Sequence, residues 1–137
     1  MKKLALLLAL LFAALLFVSC DAPGVILLDS LMPPLMEKTT GYAVTTEIRI
    51  TKLTTGETVS FTEPADLNNV HLQFEGIKCI RDKKFDDIQP LYNVAFFTAT
   101  SGDSFDVCTS TDFIYGEYHY DAMRSGVDFL WLEGLFN

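Results

Sequence analysis

The chain has 137 residues, 18 of them acidic and 10 basic for a net charge of −8, and half are apolar. That acidity excludes charge-driven binding to nucleic-acid phosphates or anionic lipid headgroups, and the apolar half argues for a folded chain rather than a disordered one. The length suits one small domain.

Met1-Lys2-Lys3 supplies a positive start, and the 15 uncharged residues Leu4–Val18 form an apolar run. The run fits a secretory h-region and is too short for the ~20 residues a membrane-spanning helix needs. Leu16-Phe17-Val18-Ser19-Cys20 resembles a bacterial lipobox, with Phe17 where that pattern prefers Leu. The resemblance implies that residues 1–19 are a lipoprotein signal peptide and that Cys20 is diacylated. The protein would then be anchored by lipid on the extracytoplasmic face of the cell membrane. A plain secretory cut after Ala22 would leave Pro23 just behind the bond, and an uncleaved anchor would need a longer apolar run. Two acyl chains on one cysteine meet the requirement for stable anchoring. Asp21 resembles the inner-membrane retention signal of Gram-negative lipoproteins, and the host's envelope type is left open. Cleavage before Cys20 removes Lys2 and Lys3 and leaves 118 residues, with eight basic against eighteen acidic, a net charge of −10.

Residues 20–41 read as the lipidated cysteine and a tether. Pro33-Pro34 rules out a continuous helix there. The stretch Val25-Ile26-Leu27-Leu28 and its neighbours Leu31-Met32 and Leu35-Met36 are too apolar for an ordinary spacer. Part of it is expected to pack back on the domain or to lie against lipid, and a partner-docking strip is the sharper alternative.

From Tyr42 the pattern alternates. Val44, Ile48 and Ile50 face one side and Thr45, Glu47, Arg49 and Thr51 the other, as in a half-buried strand. Thr54-Thr55-Gly56-Glu57 signals a hairpin, because glycine accepts positive φ. A Thr55-Gly56 loop sets Ile50 opposite Phe61 and Lys52 opposite Val59. Thr62 is a candidate N-cap, with Glu63 and Pro64 in the first turn of a helix whose apolar stripe is Leu67, Val70, Phe74 and Ile77. Gly76 is its candidate C′ residue.

Ile77–Arg81 begins a weak strand that dissolves into the charged loop Asp82–Asp87. Leu91–Thr100 is the strongest strand, with Tyr92, Val94 and Phe96 on one side, and a turn near Ser101–Ser104 sends Phe105 and Val107 back on the same side. Phe113-Ile114 and Tyr118-His119-Tyr120 form a short hairpin around Tyr115-Gly116-Glu117. Val127, Leu130, Trp131, Gly134 and Leu135 close the chain in a short helix. The predicted fold over 42–137 is α+β: one small domain, a mostly antiparallel sheet in the order ββ-α-ββββ-α, with helices packed on one face. Cys79 and Cys108 fall on strands separated by a third, ~9–10 Å apart and beyond disulfide reach, so two buried free thiols are expected.

The run Ile48–Gly56, Val59–Glu63, the helix Leu67–Ile77, Tyr92–Phe96, Ser101-Gly102-Asp103, Phe113-Ile114 and Tyr118-His119-Tyr120 resembles small uncharacterised lipoproteins of Gram-positive bacteria. The likeness covers Tyr42–Phe136 in order and rhythm. It implies the fold and the anchor, and it carries over no functional residue.

Catalytic chemistry is hard to place. His71 flanks the helix stripe and His119 sits between tyrosines, and no Gly-x-Ser-x-Gly, His-Glu-x-x-His or Cys-x-x-Cys is present. Two separated histidines and two buried thiols do not make a zinc set, so no metal and no cofactor are expected. Asp82, Asp86 and Asp87 could offer oxygens to Ca²⁺, but Lys83 and Lys84 in the same loop oppose a cation, which leaves a solvated charged loop. Tyr115, Tyr118, His119 and Tyr120 with Phe113 and Trp131 are the candidate contact surface, against the alternative that they pack between the hairpin and the last helix. The expected function is a membrane-anchored binding or interaction module of the cell envelope, not an enzyme, held by the lipid on Cys20 and facing an envelope protein. The alternative is an envelope enzyme or enzyme inhibitor with a site near the aromatic C-terminal hairpin.

Overall fold

The computed structural model describes residues 24–35, 43–82 and 88–137. Cys20 with its signal segment, and the loop carboxylates Asp86 and Asp87, lie outside the described residues.

Eight strands form one antiparallel sheet: β1 Val25–Leu27, β2 Glu47–Lys52, β3 Thr58–Phe61, β4 Lys78–Asp82, β5 Tyr92–Phe97, β6 Gly102–Val107, β7 Asp112–Tyr115 and β8 Tyr118–Ala122. Their order across the sheet is β1-β4-β8-β7-β6-β5-β2-β3. Helix α1 spans Pro64–Phe74 and helix α2 spans Phe129–Gly134. The domain is thus mostly sheet with two short helices. It differs from the predicted order in two places. A strand precedes Tyr42, and the weak Ile77–Arg81 segment is a full interior strand because β1 and β8 pair with it on either side.

The apolar stretch ahead of the domain packs back on it. Val25–Leu27 forms the sheet edge, Leu28 donates its N–H to Ile77 O at 2.9 Å, and Leu28 and Met32 are buried in the common core. Pro33 and Pro34 have no N–H to give but keep their carbonyls. Thr45 uses both, its Oγ1 donating to Pro33 O and its backbone N–H to Pro34 O. Thr45 is therefore buried although it alternates with the core residues, and β2 begins only at Glu47.

The β2–β3 hairpin pairs Ile48 with Phe61 and Ile50 with Val59, two residues away from the predicted register. The loop takes four residues, Leu53–Gly56. Lys52 O accepts from Gly56 N, and Lys52 N donates to Glu57 O. An even shift preserves facing, so the apolar side still continues from one strand to the next. The β5–β6 hairpin sets Tyr92 opposite Val107 and Val94 opposite Phe105, with the facing predicted for it. Helix α1 starts with Pro64 at its first position and is capped at Glu63 rather than Thr62, without a side-chain cap bond; Gly76 follows its end at φ +71°.

Both helices cover the same side of the sheet. Phe74 of α1 meets Phe105 of β6 edge-on at 5.2 Å and Trp131 of α2 at 6.3 Å, while Tyr92 of β5 packs on Phe129 and Phe136. Ile48, Ile50, Val94, Phe96, Val107 and Phe113 complete this core, all at 2% exposure or less. The other side of the sheet bears no helix among the described residues. Cys79 and Cys108 are both free and buried, as expected; three strand spacings, ~14 Å, separate their strands.

Candidate functional site

The open side of the sheet gathers polar residues in register. Asn93 faces Asp106, and beyond the apolar Ile114, which pairs with Asp106, comes His119. The adjacent row sets Asp112 directly opposite Asp121. Gly116 fixes this arrangement. At φ +60° it occupies the first central position of the two-residue turn Gly116-Glu117, where side-chain-bearing residues are strained, and it locks Tyr115 opposite Tyr118.

Asp112, His119 and Asp121 each offer a ligand atom, and the three atoms lie within 4.8 Å of one another. His119 Nε2 is 3.6 Å from Asp112 Oδ1, with side-chain exposures of 10% and 17%. That distance is too long for a hydrogen bond. Both ring nitrogens of His119 are shielded, and among the described residues neither has a hydrogen-bond partner. Asp112 is held from the other side. Thr109 Oγ1 donates to Asp112 Oδ2 and accepts from the Asp112 N–H at 3.1 Å, which leaves Oδ1 turned toward the imidazole. The negative charge of this face reaches the thiols. Burial raises Cys108 to about 11 with Asp106 and Asp112 adding to it, and burial with Asp121 raises Cys79 to about 11.

The candidate aromatic residues divide between the faces. Tyr115, Tyr118 and Tyr120 lie on the helix-bearing side and His119 on the open side, as alternation along β8 requires. Tyr120 is buried beside Phe113, and Trp131 is half-buried against Phe74. Tyr115 donates its hydroxyl to Asp103 at 2.6 Å, and this bond leads in raising its pKa. Tyr118 is exposed, with the Arg81 guanidinium 3.3 Å from its ring centroid; the hydrogen bond from Arg81 leads in lowering its pKa. Tyr115 and Tyr118 thus share a surface at the hairpin tip. His71 lies half-buried in the last turn of α1, on the other side of the sheet from the cluster.

A groove of about 610 Å³ runs between the start of α1 and the start of β2, lined by Leu35, Thr45, Thr62, Pro64 and Leu67. Its described lining carries no ionisable group, so the groove and the chemistry are in different places. A shallower polar depression of about 310 Å³, lined by Asn93, Ser104, Asp106 and Ile114, sits on the open face next to the cluster.

Sequence reasoning missed Asp112 and Asp121 altogether. The available signal was the two-residue turn. Once Tyr115 is set opposite Tyr118, the pairs Ile114–His119 and Asp112–Asp121 follow by counting back along both strands.

No family model, no curated protein and no solved structure matches this chain. Among the described residues no helix is long and apolar enough to cross a membrane.

Proposed function

We propose that this chain is an extracytoplasmic lipoprotein, anchored through Cys20, whose α+β domain is a binding module of the cell envelope. The observation that supports binding is the one-sided cover of the sheet. Both helices pack on one face, and the opposite face presents the half-exposed polar residues Thr51, Asn93 and Asp106 in one row that ends at Ile114. A sheet with one solvated face is ordinary for antiparallel architecture. Here that face is also acidic on an acidic chain, so it favours a basic or cationic partner over an anionic surface. The test has two arms. Wild type should incorporate labelled palmitate and partition with detergent, whereas Cys20→Ser should remain a precursor or leave the membrane, since the net-acidic chain is repelled by anionic headgroups. Crosslinking at the surface of intact cells should recover a reproducible protein partner. Absence of label with a mature N-terminus elsewhere removes the anchor, and absence of any reproducible partner removes the module.

A second reading, an envelope enzyme or enzyme inhibitor with its site near the C-terminal hairpin, has one observation in its favour. The Asp112–His119–Asp121 cluster holds a shielded imidazole beside two carboxylates, a set that general acid–base or metal chemistry uses.

A further inference from the structure

The geometry points to a binding site for a divalent transition-metal ion of the zinc class at Asp112, His119 and Asp121. Two features converge there. The first is spacing. Ligands held ~2.0–2.2 Å from a tetrahedral ion stand ~3.3–3.6 Å apart. His119 Nε2 and Asp112 Oδ1 are already at 3.6 Å, and all three ligand atoms fit within 4.8 Å, so small side-chain rotations close the set.

The second is the imidazole itself. A shielded ring with neither nitrogen hydrogen-bonded among the described residues is an unsatisfied polar group of the kind folded proteins avoid. An ion on Nε2 satisfies that nitrogen in its neutral, ligating form.

The donor set selects the metal. Ca²⁺ and Mg²⁺ take oxygen ligands and have little use for an imidazole, whereas one nitrogen and two carboxylates suit Zn²⁺ and its neighbours in the first transition row. Thr109, bonded to the second oxygen of Asp112, orients that ligand from behind. Three protein ligands leave a fourth position on the ion for water or for a donor from a partner. The site is independent of the membrane anchor.

Titration of the metal-stripped full-length chain in detergent with Zn²⁺, followed by calorimetry and thermal melting, tests the proposal. The expected result is one ion per chain and a melting point raised by several degrees, with Mg²⁺ and Ca²⁺ without effect. Co²⁺ in the same site should give the visible d–d absorption of a low-coordinate complex. His119→Gln and Asp121→Asn should each weaken Zn²⁺ at least ~10-fold, and Thr109→Val should weaken it less. Circular dichroism confirms that each variant is folded, and if one is not, the other carries the test. A Cys79→Ala/Cys108→Ala double variant should bind as wild type does. A melting point indifferent to saturating Zn²⁺, or binding that survives His119→Gln and Asp121→Asn but is lost with the cysteines, overturns the proposal.

Discussion

Leu27 and Leu28 are neighbours in the apolar stretch ahead of the domain, and the structure assigns them opposite consequences. Leu28 is 1% exposed and packs beneath α1 from the short 3-10 helix Leu28–Leu31, whereas Leu27 is 45% exposed on the sheet edge. Leu→Ala in a core costs ~2–5 kcal/mol, depending on how far the site can collapse. Leu28 is carried by a four-residue 3-10 helix rather than by the sheet or a long helix, so the lower part of that range is used, about 2–3 kcal/mol. Unfolding entropy of ~2.1 cal/mol/K per residue makes each kcal/mol worth roughly 4 °C in a domain of this size. Leu28→Ala should therefore lower the melting temperature by roughly 8–12 °C, and Leu27→Ala by no more than roughly 2 °C. Urea unfolding of the full-length chain in detergent, followed by circular dichroism, should show the same difference as a shift in midpoint at constant m-value. Equal effects from the two substitutions, or a loss below about 0.5 kcal/mol for Leu28→Ala, would refute the packing of residues 24–35 on the sheet.

The two thiols should be inert and pH-sensitive in a predictable direction. With both raised to about 11 in the folded state, alkylation at pH 8 should run ~100-fold slower than for an unperturbed thiol of pKa 9.0, and a rate within ~10-fold of free cysteine would contradict it. Because the folded state binds these protons more tightly, their contribution to stability is complete below pH 9 and is lost as pH rises toward 11, which alkaline melting curves would register. In a spectrophotometric titration Tyr118 should ionise before Tyr92 and Tyr115, and Arg81→Gln should move that first step upward. A first step unchanged by Arg81→Gln would separate the guanidinium from the phenol.

What was readable in the chain was parity. Tyr92, Val94 and Phe96 against Phe105 and Val107 could be placed on one face because a strand alternates with period two, whatever the turn. The same parity explains why a β2–β3 register wrong by two residues still put Ile50 and Phe61 on the right side. The unread parts depend on partners distant in sequence. Thr45 looked outward in its own strand pattern and is buried because Pro33 and Pro34 arrive to take its hydrogen bonds. Lys78–Asp82 looked weak because its support comes from β1 and β8 on either side. The Asp112–His119–Asp121 cluster follows no linear motif, since it is assembled across a hairpin from residues that need only the correct face and opposite positions.

The apolar core enforces that cluster rather than opposing it. A one-residue slip of β7 would carry Phe113 from full burial onto the solvated face and turn Asp112 inward. Exposing a buried Phe forfeits ~1.5–3 kcal/mol, while like charges opposed on a strand pair cost only some 0.2–1 kcal/mol. Burial of Phe113 therefore sets the register, and with it the pairing of Asp112 with Asp121 on the open face. Phe113 and Tyr120, facing the helices, thereby hold Asp112, His119 and Asp121 together on the other side of the same two strands. Register alone is enough to gather these three side chains, whatever further interactions Asp112 and Asp121 make.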